Sequence, residues 1–89
     1  MPIVIVKQKV QDFDVWKKAF DEDATMRAEI GTHIWSAARD INDPNTVVVI
    51  SDWPTLEAVR LFLDNAKARF ARSGVVSGEV RVIEHEIKL

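Results

Sequence analysis

Two runs of four residues, Ile3-Val4-Ile5-Val6 and Val47-Val48-Val49-Ile50, are apolar at every position. A strand sends alternate side chains to opposite faces, so a strand without a polar face must be covered on both sides. The 89 residues can cover one face of a sheet with their own helices. Covering the other calls for a second copy of the chain. The chain also lacks cysteine, which removes disulfides, thiolate metal sites, cysteine nucleophiles and thiol redox chemistry. A small core without such staples again favours oligomerisation. With a net charge of −2 there is no basic field to attract nucleic acid or anionic lipid. No apolar stretch reaches membrane-spanning length, and Met1-Pro2-Ile3 is strand-like rather than a basic leader, so the expected location is the cytoplasm.

The pattern along the chain predicts one domain over residues 1–89, with no linker and no repeat. Residues 3–10 read as a strand that turns amphipathic at Lys7, Gln8 and Lys9. Asp12 suits a helix N-cap, and Phe13, Trp16, Ala19, Phe20, Ala24, Arg27 and Ile30 then follow helical spacing. That spacing predicts a single helix ended by Gly31, supported by the pairs Asp14–Lys18 and Asp23–Arg27. Residues 32–40 and 46–53 form a hairpin around the turn chemistry of Asn42-Asp43-Pro44-Asn45. A second helical stripe runs through Leu56, Val59, Phe62, Leu63, Ala66 and Phe70, with a break expected at Asn65. Gly74 and Gly78 are expected to bracket a loop, and residues 79–88 to form the last strand. The order β-α-β-β-α-β predicts a ferredoxin-like α+β fold with an antiparallel sheet ordered 4-1-3-2. Its central strands are the two wholly apolar runs.

Several local patterns accord with one known group: Asp12-Phe13-Asp14-x-Trp16-Lys17 opening the first helix, Gly31 before the second strand, and Arg39-Asp40-x-x-Asp43-Pro44-Asn45 at the hairpin. Val47-Val48-Val49-x-x-x-Trp53, then Glu57-Ala58, Phe62 and Ser73-Gly74-Val75, continue the likeness over nearly the whole chain. Together they resemble the small dimeric α+β barrel proteins related to antibiotic biosynthesis monooxygenases. The resemblance implies a homodimer built by packing two sheets face to face, with a pocket between sheet and helices. It also implies cofactor-independent oxidation or rearrangement of a small aromatic or polyketide-like molecule. A non-catalytic ligand-binding or structural dimer of the same fold is the competing reading, and haem degradation a third. The haem-degrading members use an Asn, Trp and His combination that has no counterpart here, since neither His33 nor His85 lies on an expected helix and Asn65 marks a helix break.

The candidate chemistry rests on few residues. Strand alternation would place His33 and Trp35 on one face, with Arg39 further along it. Facing the helices, His33 would act as general base and Trp35 would stack on an aromatic ligand. No partner that would orient His33 is visible. Trp16, Phe20, Phe62 and Phe70 are the other pocket candidates, although an aromatic stripe at helical spacing is more often plain core. Further polar groups for a ligand would have to come from Ser36, Ser51 or Asn65, while Lys67, Arg69 and Arg72 suit a helix C-terminus. Glu84, His85 and Glu86 alternate across a strand, so no metal site is expected. No cofactor is expected, and the expected partners are a second copy and a small apolar or aromatic ligand.

Overall fold

A computed structural model describes residues 1–83 of the chain. Four strands, β1 (Ile3–Val10), β2 (His33–Arg39), β3 (Thr46–Asp52) and β4 (Val75–Ile83), form one sheet. Its order is β2-β3-β1-β4, with every neighbouring pair antiparallel. The two wholly apolar runs are thus its central strands, as a ferredoxin-like α+β fold requires. Four helices lie across one face: α1 (Phe13–Glu22), α2 (Ala24–Ile30), α3 (Leu56–Asp64) and α4 (Ala66–Ser73). None of the described helices is long and apolar enough to cross a membrane.

Local chemistry explains the helix ends. Asp12 caps α1 by accepting from the amides of Asp14 (2.8 Å) and Val15 (3.4 Å). Gly31, at φ +91°, donates to Ala28 while Thr32 donates to the Arg27 carbonyl, closing α2 with a left-handed turn. Thr55 caps α3 through the amide of Ala58, and Asn65 separates α3 from α4 as its composition predicted.

Two expectations need correction. The stretch 13–30 is two helices, because Asp23 takes φ −85° and ψ 3° and its amide reaches back to both Ala19 and Phe20. Its carboxylate meets Arg72 of α4 at 2.7 Å instead of supporting Arg27 along one helix, and the Asp14–Lys18 pair gives way to Lys17–Asp21. The second correction concerns residues 75–78, which are strand rather than loop. Val75, Ser77 and Gly78 pair with Val10, Lys9 and Gln8, after a register shift at the end of β1. Gly78 permits that pairing, since a Cβ there would stand 2.9 Å from the carbonyl oxygen of Lys7. Residues 84–89, which include Glu84, His85 and Glu86, lie outside the described residues.

The helix-side core has two parts. Val10, Trp16, Val47 and Val49 form one, with Phe13, Phe20 and Ile34 against it. Val4, Trp53 and Val59 form the other, with Val6, Ile30, Phe62 and Leu63. On the opposite face Ile3, Ile5, Val48 and Ile50 are only half-buried, and Trp35 is 54% exposed.

Candidate functional site

Between the two core clusters, under the helices, lies a cavity of about 100 Å³. Its walls draw on both clusters. Trp16 and Phe20, one turn apart on α1, stack at 4.9 Å between ring centroids. Opposite them, Trp53 and Phe62 meet at 4.9 Å in a tilted arrangement, and Phe70 of α4 joins the lining. The 3.6-residue period of α1, and of α3 continued through α4, brings these rings onto the sheet. The four aromatic candidates expected on helices, Trp16, Phe20, Phe62 and Phe70, all border this space.

The sheet supplies polar groups to the cavity floor. Gln8 is in phase with Val4, Val6 and Val10, and its side-chain oxygen accepts from Trp16 Nε1 at 3.3 Å. Ser51 is in phase with Val47 and Val49, and its hydroxyl accepts from Trp53 Nε1 at 3.0 Å. Each indole N–H thus has a buried acceptor, as a core tryptophan needs.

Two further polar groups lack a protein partner. Thr32 is 7% exposed, and its Oγ1 has no hydrogen-bond partner among the described residues. The same holds for the buried Arg69 Nη1. The other terminal nitrogen, Nη2, lies 3.0 Å from Met26 Sδ, a weak acceptor, and the guanidinium sits 4.8 Å from the Phe62 ring centroid. No carboxylate among the described residues forms an ion pair with Arg69. Arg27 also borders the cavity, 4.0 Å over Phe20. Burial lowers its pKa from the ordinary value, while Asp23 and Asp21 oppose that shift. The bordering carboxylate of Asp23 is already engaged by Arg72, so the electrostatic character here is cationic.

The strand candidates fall elsewhere. A register shift between Ile34 and Ser36 leaves Trp35 as an extra residue in β2. His33 pairs with Asp52 and Ser36 with Ile50 on the open face, whereas Arg39 pairs with Val47 on the helix side. Alternation alone would have kept His33, Trp35 and Arg39 together; the bulge leaves His33 with Trp35 and turns Arg39 to the other side. Arg39 lies 3.6 Å over Phe13, outside the cavity lining. His33 and Trp35 also stand outside it, so the condition for His33 to serve this pocket as a base is not met. His33 does have an orienting partner: Asp52 Oδ1 lies 3.1 Å from its Nδ1, and Asp52 Oδ2 accepts from Trp35 Nε1. Ser36 is exposed, and Asn65 spends its side-chain amide on the Leu61 carbonyl. Gln8, Thr32 and Arg69 are the cavity groups that sequence reasoning missed. Gln8 and Arg69 carried a signal, because each is in phase with an apolar stripe.

Neither a protein-family model nor a curated protein matches the sequence. Solved structures do. A presumed antibiotic biosynthesis monooxygenase from Caulobacter crescentus superposes with a TM-score of 0.76 at 17% identity, over 97% of this chain and 90% of the other. A second, from Deinococcus radiodurans, gives 0.73 at 13% identity, over 100% and 96% of the two chains. SnoaB, a cofactor-independent oxygenase from Streptomyces nogalater, gives 0.73 at 20% identity, over 99% and 95%. The chain has the ferredoxin-like α+β fold of the antibiotic biosynthesis monooxygenase-like proteins.

Proposed function

We propose that the protein binds a small aromatic or polyketide-like metabolite between sheet and helices and oxidises or rearranges it without a cofactor. It would do so as a homodimer joined through the open sheet faces. The observation that carries this reading is the cavity itself. It is a concave space walled by Trp16, Phe20, Phe62 and Phe70, with a few polar atoms converging on it. Flat rings on both sides suit a flat ligand. The fold shared with a cofactor-independent oxygenase supports the reaction class by analogy alone. In that reaction the substrate would be the reductant and dioxygen the oxidant, while the protein would supply the ring-lined pocket that positions the substrate. The dimer rests on the half-buried row Ile3, Ile5, Val48 and Ile50 beside exposed Trp35, an apolar face that a second copy would cover.

One observation favours binding without turnover. The cavity's acidic group, Asp23, is held by Arg72, so no free base borders the ligand among the described residues. Oxygen consumption measured with a panel of small phenols and hydroquinones, beside direct titration of the same compounds, separates the two readings. Uptake above the protein-free rate establishes the enzyme. Saturable binding with uptake at the protein-free rate assigns the binding role. Absence of any binding removes the pocket from both.

A further inference from the structure

Arg69 and Thr32 make the cavity chemically lopsided. One wall offers rings; the other offers a guanidinium nitrogen and a hydroxyl that nothing in the described protein satisfies. An unpaired buried donor costs free energy comparable to a lost hydrogen bond, and an unpaired buried cation costs more. Such groups call for a partner from outside the chain, a water, an ion or a ligand. The placement of Thr32 is built into the backbone. Its amide closes the left-handed turn after α2, on the Arg27 carbonyl at 3.0 Å, which leaves its side chain at the cavity where β2 begins. Arg69 arrives from α4, on the same stripe as Phe62 and Phe70, held by Met26 and the Phe62 face rather than by a carboxylate.

Resting on the pocket reading above, we infer that the cavity takes a single-ring arene bearing one anionic oxygen, a carboxylate or a phenolate, held by Arg69 and Thr32. The size of the space sets the ring count. At about 100 Å³ it is of the order of the roughly 150 Å³ apolar cavity that accepts one benzene ring. The charge sets the functional group: a guanidinium without an anion matches a carboxylate or phenolate oxygen in both sign and donor geometry. The Thr32 hydroxyl can donate to the same oxygen, while the ring lies between the Trp16–Phe20 and Trp53–Phe62 pairs.

Calorimetric titration of the purified chain with benzoate, phenol and toluene tests this. These three probes share one ring and differ in the oxygen. Benzoate is expected to bind at least about ten-fold more tightly than toluene, the worth of one charged hydrogen bond. Arg69→Met should remove that preference and leave toluene within about two-fold of its original affinity. Thr32→Val, nearly isosteric, should weaken benzoate several-fold and spare toluene. Phenol binding that releases a proton, read from the buffer dependence of its heat, assigns a phenolate; benzoate binding alone assigns a carboxylate. Should Arg69→Met fail to fold, the Arg69 Nε–H resonance of the original protein decides: benzoate must shift it and toluene must not. Toluene binding as tightly as benzoate, or benzoate binding indifferent to both substitutions, overturns the anion subsite and leaves the pocket standing. Failure of all three probes to bind overturns the pocket and the subsite together.

Discussion

Gln8 sits among valines because its carboxamide has a use there. The side chain is 5% exposed, and its oxygen is the acceptor for Trp16 Nε1. Removing it strands a buried indole donor, so Gln8→Leu should cost about 1–3 kcal/mol despite its better match to an apolar core. A urea denaturation curve checks this, and a midpoint equal to or above the original would deny the bond its role. His33 gives the opposite expectation. Its imidazole is on the open face, so His33→Ala should leave ligand affinity and any oxygen uptake within about two-fold. A large loss in either would place the chemistry on the wrong side of the sheet for the cavity reading. The aromatic lining was legible in the sequence, since Trp16, Phe20, Phe62 and Phe70 repeat at helical spacing and helical spacing survives folding. The helix-side position of Arg39 was not, since one bulged residue reverses the parity of all that follows and leaves no composition signature. Arg69 was misassigned for another reason. Beside Lys67 and Arg72 it resembles a dipole-compensating charge, and only its phase with Phe62 and Ala66 marks it as inward.

At the scale of elements, what the sequence concealed was local competition. The apolar stripe over 13–30 is continuous, yet α1 and α2 part at Asp23, whose carboxylate is drawn to Arg72 forty-nine residues away. No window of neighbouring residues holds that information. β4 begins early for a similar reason. Gly78 looks like a loop signal in isolation, but it lets β4 approach the backbone at Lys7 and Gln8. Gly78→Ala should therefore force the strands apart and cost about 1–3 kcal/mol, with weakened amide-exchange protection from Ser77 to Val80. Unchanged protection there would mean the edge strand yields without loss. The β2–β3 hairpin was readable from Asn42-Asp43-Pro44-Asn45, and its stability depends on pH. Asp43 accepts from the Asn45 amide and the Thr46 hydroxyl and faces Lys9, which together hold its pKa below the usual value. A carboxyl depressed in the fold contributes stability above its unfolded pKa and loses it as pH falls through the folded value. The stability gap between the original and Asp43→Asn should therefore shrink below about pH 4. Parallel melts at about pH 7 and about pH 2.5 measure it, and an equal gap at both would exclude the carboxylate as the source.

At the scale of the whole molecule, two sheet faces meet two different needs. Val4, Val10, Val47 and Val49 bury themselves under the helices, while Ile3, Ile5, Val48 and Ile50 wait on the other side, half-covered. Only the structure could say which alternate set faces which way, because both sets are apolar. That symmetry is what made the central strands easy to identify and their orientation impossible to assign. If the open faces join two copies, light scattering at micromolar concentration should give about twice the 10.1 kDa of one chain. Ile50→Asp introduces a charge at the centre of that face, where burial without a partner is costly. It should return the mass to that of one chain, whereas Val76→Asp, at an exposed position on the edge strand, should not. A single-chain mass for the original protein would leave the open face uncovered and remove the dimer from the proposed function. The helix-side cavity would survive that outcome, because every wall described for it comes from one chain. Ligand binding measured alongside the mass thus tells whether assembly and recognition are separable properties of this fold. If Ile50→Asp yields a folded monomer that still binds benzoate, the second copy serves stability; if binding is lost with the dimer, the cavity depends on the partner for its shape.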